Sequence, residues 1–249
     1  MLVSDNGTRF ALDKGEITVL TSLMGAPDKR PSLAALWFYP AKGQAWATDG
    51  HRCVLADGGA PKTTTKNARP VAIPATTAAH AAKTARAADF VVVDVSRPKV
   101  SIDVRAPKTR GTEIKAFADL ESKTGIKHSV TCSRHSGGPK AAAIEECFPS
   151  FQRRGSKGAV MAIDPAYLQS AAMLAKVTEP RFVWFNIGKA KEPAFFVAHG
   201  RHETTWRLVI MPWIARVEPP PIIAGTDEGA TAKPRKGASA KGGDVRSAS

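Results

Sequence analysis

Twice in this chain a helix-start signal is followed by runs of β-branched and aromatic residues, and that recurrence narrows the fold more than any other feature. Pro74 opens an alanine-rich stretch predicted helical to about Ala88, with proline at the first helical position, where its missing N–H costs least. A β-branched run at 90–95 and an alternating run at 99–104, in which Val100, Ile102 and Val104 take every second place, then read as strands. In the last third, Asp164 is placed to cap a helix begun by Pro165, with Ile163 set to staple against Leu168. Leu168, Ala171, Ala172 and Ala175 mark one face of that helix, and strands are predicted at 182–187, 194–198 and 206–211. Upstream, 33–39 and 44–55 read as two strands joined at 40–43. Helix followed by antiparallel strands, repeated, predicts an α+β fold with helices packed on one side of antiparallel sheets.

A chain of 249 residues with 43% apolar content buries a real core. It has no apolar run near the roughly 20 residues a membrane span requires, and its start lacks a basic region followed by an apolar one. The expectation is a soluble, unexported protein without a membrane partner. Cys53, Cys132 and Cys147 are odd in number and widely spaced, which fits reduced thiols rather than a disulfide framework. Cys132 and His135 have a metal-like spacing with no second pair nearby, and a surface loop is the preferred reading.

The net charge of +14 points to a polyanionic partner, because each phosphate neutralised by Lys or Arg releases counterions. Residues 218–249 hold five basic and four acidic residues, so +13 of that charge lies before them. That tail begins with Pro219, Pro220 and Pro221, has almost no apolar side chain beyond Ile222 and Ile223, and is predicted to be disordered. Residues 58–69, rich in Thr, Lys and Gly, are predicted to form a loop.

Three segments resemble the β subunit of bacterial DNA polymerase III, the sliding clamp. Ala47-Thr48-Asp49-Gly50-His51-Arg52 is similar to a hexapeptide of that family's middle domain. Phe148-Pro149-Ser150-Phe151-Gln152-Arg153-Arg154 resembles the Phe-Pro-Asp-Tyr-Arg-Arg segment joining its middle and last domains, and Val209-Ile210-Met211-Pro212-Trp213 its Val-Val-Met-Pro-Met ending. Ile163-Asp164-Pro165-Ala166-Tyr167-Leu168 is also similar to the family's Phe-Asn-x-x-Tyr-Leu helix start. The resemblance implies a DNA-clamp (processivity) fold in which residues 1–154 correspond to the middle domain and 155–217 to the second half of the last. The family's first domain has no counterpart here, and 107–140 fits the pattern poorly and reads as an insertion.

In that family the matching segments converge on a pocket where polymerases and repair proteins insert a short peptide. Carried over, the pocket comprises Leu33, Thr48, Gly50, His51, Arg52, Cys53, Pro149, Arg153, Val209, Met211 and Pro212. Apolar walls for leucine or phenylalanine anchors with a few polar groups suit that task. The alternative is that Thr48-Asp49-Gly50 is a plain turn and 209–211 an ordinary core strand. Cys53 stands where the family usually has leucine, and Arg154 where an apolar residue is usual. For double-stranded DNA, the resemblance implies helices offering cations to phosphates without reading bases. Arg30, His80, Lys83, Arg86 and Lys176 are the candidates, with a solvated basic face as the alternative for each.

Asp49 with His51 carries no positioned nucleophile, and the phosphate-loop and His-Glu-x-x-His patterns are missing from the sequence. His199, His202 and Glu203 sit at a Gly200-centred hairpin and read as solvated turn residues. The resemblance thus implies a non-enzymatic processivity factor with no cofactor or metal, working on DNA in the cytoplasm at the nucleoid. Its partners would be DNA polymerase, other clamp-binding proteins and a clamp loader. Because one and a half domains cannot encircle DNA, a homo-oligomer is expected. The competing readings are a clamp-derived adaptor that keeps the pocket without a ring, which a solution size measurement separates, and an unrecognised nucleic-acid enzyme, which a nuclease or ligase assay with metal ions tests.

Overall fold

The structure, a computed structural model, describes residues 1–63, 69–135, 144, 148, 165–177, 184–187 and 193–211. All of these lie in one compact unit, Met1–Ile214, and the second unit, Ala215–Ser249, falls outside them with the predicted tail.

Two antiparallel sheets carry the fold. One has five strands in the order β1 (Leu2–Val3), β2 (Arg9–Asp13), β7 (Phe90–Asp94), β8 (Lys99–Pro107) and β9 (Thr124–Ser133). The other has seven, ordered β10 (Trp184–Ile187), β11 (Ala194–His199), β12 (Thr205–Ile210), β5 (Arg52–Asp57), β4 (Gln44–Thr48), β3 (Ala35–Tyr39) and β6 (Val71–Pro74). The late strands therefore extend the early sheet, with β12 paired to β5 from Thr205↔Asp57 to Ile210↔Arg52. Three helices, α1 (Lys14–Ser22), α2 (Ala75–Thr84) and α4 (Pro165–Leu174), pack on the sheets, and α1 touches both of the others. One core joins them, from Phe10, Leu12 and Ile102 of the first sheet to Phe38, Val54 and Leu208 of the second. Helices layered on antiparallel sheets are the predicted α+β arrangement.

Helix α1 starts at a capping box: Glu16 N donates to Asp13 Oδ1 at 2.8 Å and Asp13 N donates to Glu16 Oε2 at 2.9 Å. The same Glu16 carboxylate is buried and paired with the Met1 ammonium, which also donates to Thr204 Oγ1 at 2.7 Å. Burial pushes the Glu16 pKa up, against the opposing pull of that ammonium.

Several expectations are corrected. The run 44–55 is two strands rather than one, because Asp49 and Gly50 turn the chain between β4 and β5. Pro74 is the last residue of β6, paired with Ala35, and takes the N-cap place of α2 instead of the first helical one. That helix stops at Thr84, where Ala85 turns to ψ 137° and Arg86 N donates to the Asp89 carboxylate. In α4 the buried face is Ser170, Leu174 and, just beyond its end, Val177, while Leu168 and Ala172 are exposed. Ile163 and Asp164, the expected staple and cap, lie outside the described residues, as do 64–68 of the expected loop.

The stretch read as an insertion contains α3 (Phe117–Lys123) and the long edge strand β9, to which Cys132 belongs rather than to a loop. Ile114 and Leu120 bury Leu2, Ala11 and Val92 on the far side of the five-stranded sheet. The far side of the other sheet holds the stacked Trp37 and Trp46 rings, 4.4 Å apart, with Cys53, Leu55, Ile144 and Phe148. Neither Cys53 nor Cys132 forms a disulfide among the described residues.

Candidate functional site

The turn between β4 and β5 is built almost entirely from its own side chains. Asp49 Oδ1 accepts from His51 N at 2.9 Å and Arg52 N at 2.8 Å, while Thr48 Oγ1 donates to Arg52 O and accepts from Gly50 N. Gly50 has φ +88°, a left-handed conformation that glycine adopts at no steric cost. The turn reading of this segment is therefore the one the structure shows, and the turn fixes the positions of the side chains around it.

Arg52 is the centre of the site. Its Nε and Nη2 donate to Asp49 Oδ2 at 2.9 and 2.6 Å, and its Nη1 donates to the buried Ser170 Oγ at 2.6 Å. Its guanidinium carbon also lies 4.9 Å from the Tyr167 ring centroid, a cation–π contact. His51 lies beside the same tyrosine, with centroids 6.0 Å apart and planes inclined by 20°. Arg30 closes the opposite side: Nη1 donates to Asp49 O at 2.7 Å and Nη2 lies 2.9 Å from His51 Nε2. A guanidinium has no acceptor, so Nε2 is the acceptor and the His51 proton sits on Nδ1.

Apolar surface lies beside this polar frame. Met211 N donates to His51 O at 2.8 Å, which carries β12 one residue further along β5, and the Met211 side chain is 45% exposed. Leu168, next to Tyr167, is also 45% exposed. A Cβ placed on Gly50 would meet Leu33 Cδ1 at 3.2 Å, so Leu33 lines the same edge. Structure thus gathers Leu33, Gly50, His51, Arg52 and Met211 around one turn, with Thr48 buried beneath it. Cys53 and Val209 stand opposite each other across β5 and β12, both are buried, and Cys53 belongs to the far-side core. Pro149, Arg153 and Pro212 lie outside the described residues.

Sequence reasoning missed Tyr167 and the buried Ser170 as partners of this turn, and Arg30, a DNA candidate, also bonds to the turn. The resemblance had flagged Tyr167 only as a helix start. Of the remaining cationic candidates, His80 and Lys83 are exposed on α2, Arg86 lies just past its end, and Lys176 is exposed in the turn after α4. Lys14 of α1 is tied to Ala82 O of α2. A separate cleft of about 860 Å³ is lined by Asp13, Asp89, Glu113 and the hairpin residues His202 and Glu203. Its first three carboxylates are engaged, Asp13 at the α1 cap, Asp89 with Lys127 and Glu113 with Lys115. Among the described residues no three of His, Cys, Asp and Glu group as metal ligands, the 132/135 and 199/202/203 spacings included.

Helices layered over two antiparallel sheets make up the DNA-clamp fold seen in the solved structures this chain is similar to. The chain is similar to the DNA polymerase III subunit beta sliding clamp of Pseudomonas aeruginosa, solved bound to griselimycin, at 13% identity and TM-score 0.51, covering 83% of this chain and 65% of that one. It is similar to the subunit beta of Borrelia burgdorferi, solved with a natural product, at 12% identity and TM-score 0.53, covering 84% and 65%. A C. crescentus beta sliding clamp matches at 16% identity and TM-score 0.50, covering 84% and 66%. This chain therefore spans just under two thirds of the length of these clamps. No protein-family profile and no curated protein sequence matches it.

Proposed function

We propose that this protein is a non-enzymatic clamp-like tether that binds duplex DNA without reading its sequence and holds partner proteins through a short peptide. The surface around the Asp49–Gly50 turn carries the reading: Arg30, His51, Arg52 and Tyr167 form a hydrogen-bonded and cation–π frame, and two half-exposed apolar side chains, Met211 and Leu168, stand beside it. Such a surface suits an extended peptide whose leucine or phenylalanine anchors cover the apolar groups while its backbone meets the polar ones. The clamp fold and the charge of +14 support the DNA part, with exposed Lys83, Arg86 and Lys176 as phosphate contacts.

On this reading residues 1–154 act as a middle-type domain, 155–217 as half of a last-type domain and 218–249 as a tail. The protein works at the nucleoid as a homo-oligomer, with a polymerase, other clamp-binding proteins and a loader as partners. The second reading, an adaptor that keeps the groove without a ring, draws on the chain's spanning just under two thirds of the clamps it resembles. Fluorescence anisotropy with duplex DNA across a salt series tests the first reading. The expected outcome is binding that weakens steeply with salt and ignores sequence, in an assembly larger than one chain by light scattering. A monomer that binds peptide but no DNA selects the adaptor, and a chain that binds neither ends both readings.

A further inference from the structure

We propose that His80 and His128 form a surface site for a first-row divalent metal ion, with one imidazole supplied by α2 and the other by the edge strand β9. Their ring centroids lie 5.4 Å apart and their planes are inclined by 61°. A metal bonded to one nitrogen of each ring at about 2.0–2.1 Å, with the two bonds near the tetrahedral angle, puts the centroids roughly 5 Å apart. The two rings already stand close to that separation.

Both residues belong to secondary-structure elements, His80 to α2 and His128 to β9. His80 sits on α2 between the buried Ala78 and Ala81, and its carbonyl accepts from Thr84 Oγ1 at 2.9 Å. His128 is paired with Val104 of β8, next to the register shift between Val104 and Arg105. Ligands projected from a helix and a strand keep their geometry better than ligands on loops. The site is also open, with His80 exposed and His128 half-buried, so water can complete the coordination shell. Cys132 lies on the same strand, but its side chain is hydrogen-bonded with Thr77 and burial pushes its thiol pKa up, which keeps it out of the ligand set.

Two neutral imidazoles with water select among metals by the intrinsic order of nitrogen sites, Cu(II) above Ni(II) and Zn(II). The bound ion would cross-link α2 to β9, a strand with a hydrogen-bonded neighbour on one side only in its sheet. None of this depends on the DNA or peptide readings, because neither the groove nor the other cationic candidates contribute a ligand.

The test titrates the full-length chain, without a histidine tag, with Cu(II), Ni(II) and Zn(II) salts by calorimetry, and records the Cu(II) electron paramagnetic resonance spectrum. One Cu(II) per chain is expected in the micromolar range, with nitrogen hyperfine structure and weaker binding of the other two ions. His80→Ala and His128→Ala should each weaken it by more than the roughly 10–100-fold that losing an outer-shell partner costs. His80→Ala, on an exposed helix face, should leave the melting temperature of the metal-free chain unchanged. His199→Ala with His202→Ala should leave Cu(II) binding intact. Binding that survives His80→Ala, or the failure of the parent chain to bind Cu(II) below millimolar, overturns the site.

Discussion

Met211→Ala asks whether the end of β12 serves a ligand or the core. At 45% exposure the methionine side chain leaves on the order of 90 Å² for a ligand to cover, which at roughly 25 cal/mol per Å² is about 2 kcal/mol. The parent chain is expected to bind a peptide carrying a glutamine and closely spaced leucine and phenylalanine with micromolar strength, about −8 kcal/mol. Truncation should then raise Kd by about 30-fold, since about 1.4 kcal/mol is tenfold. Folding stability should change by less than about 1 kcal/mol, because a half-exposed side chain leaves little cavity. Fluorescence anisotropy with a labelled peptide and thermal melts on the same preparation read the two quantities separately. A variant that binds as the parent does yet melts early would mean that Met211 belongs to the core and that the groove lies elsewhere.

Gly50→Ala should lower the melting temperature and free Arg30, because φ is +88° and the new methyl would collide with Arg30 Nη1; a reorganised His51 ring signal by NMR reports the lost contact. Lys83→Glu with Arg86→Glu should weaken DNA binding and lower its log–log salt slope by roughly 2, and an unchanged slope removes α2 from the DNA face. Glu16 has a raised pKa, so the folded state takes up its proton more readily than the unfolded one. Its contribution is full below the unfolded value of 4.5 and is lost as pH rises through the folded value. In urea melts the stability of the parent relative to Glu16→Gln should therefore shrink with rising pH, and a constant difference would mean that the carboxylate does not titrate with folding.

The strands were legible because their apolar residues alternate or cluster between turn residues, as at Val100, Ile102 and Val104, all fully buried or nearly so. The break at Asp49 and Gly50 entered only as the alternative turn reading, because turn chemistry sits inside an otherwise continuous apolar run and the strand pattern runs through it. The α4 face was misread for a different reason. Its small residues give no strong apolar side, so the contact of Ser170 with Arg52, 118 residues away, decides which side turns inward. That same contact explains the missed site residues: Tyr167 and Ser170 matter through space, and no local pattern marks them. The α3 helix is too short for its periodicity to register, and the far-side apolar surface it covers is visible only once the sheet exists.

Pairing of β12 with β5 ties residues 205–210 to 52–57, and this sets an order of assembly. During synthesis the edge of β5, with its apolar Cys53-Val54-Leu55-Ala56, stays open until nearly 150 further residues have been made. At about 5–20 residues per second that is on the order of ten to thirty seconds in which an unpaired strand edge is available to other chains. Chains cut before Thr205 keep that edge permanently, so proteolysis or premature termination there yields a species prone to aggregate, and the long-range closure slows folding relative to a protein whose sheets are built from neighbouring hairpins.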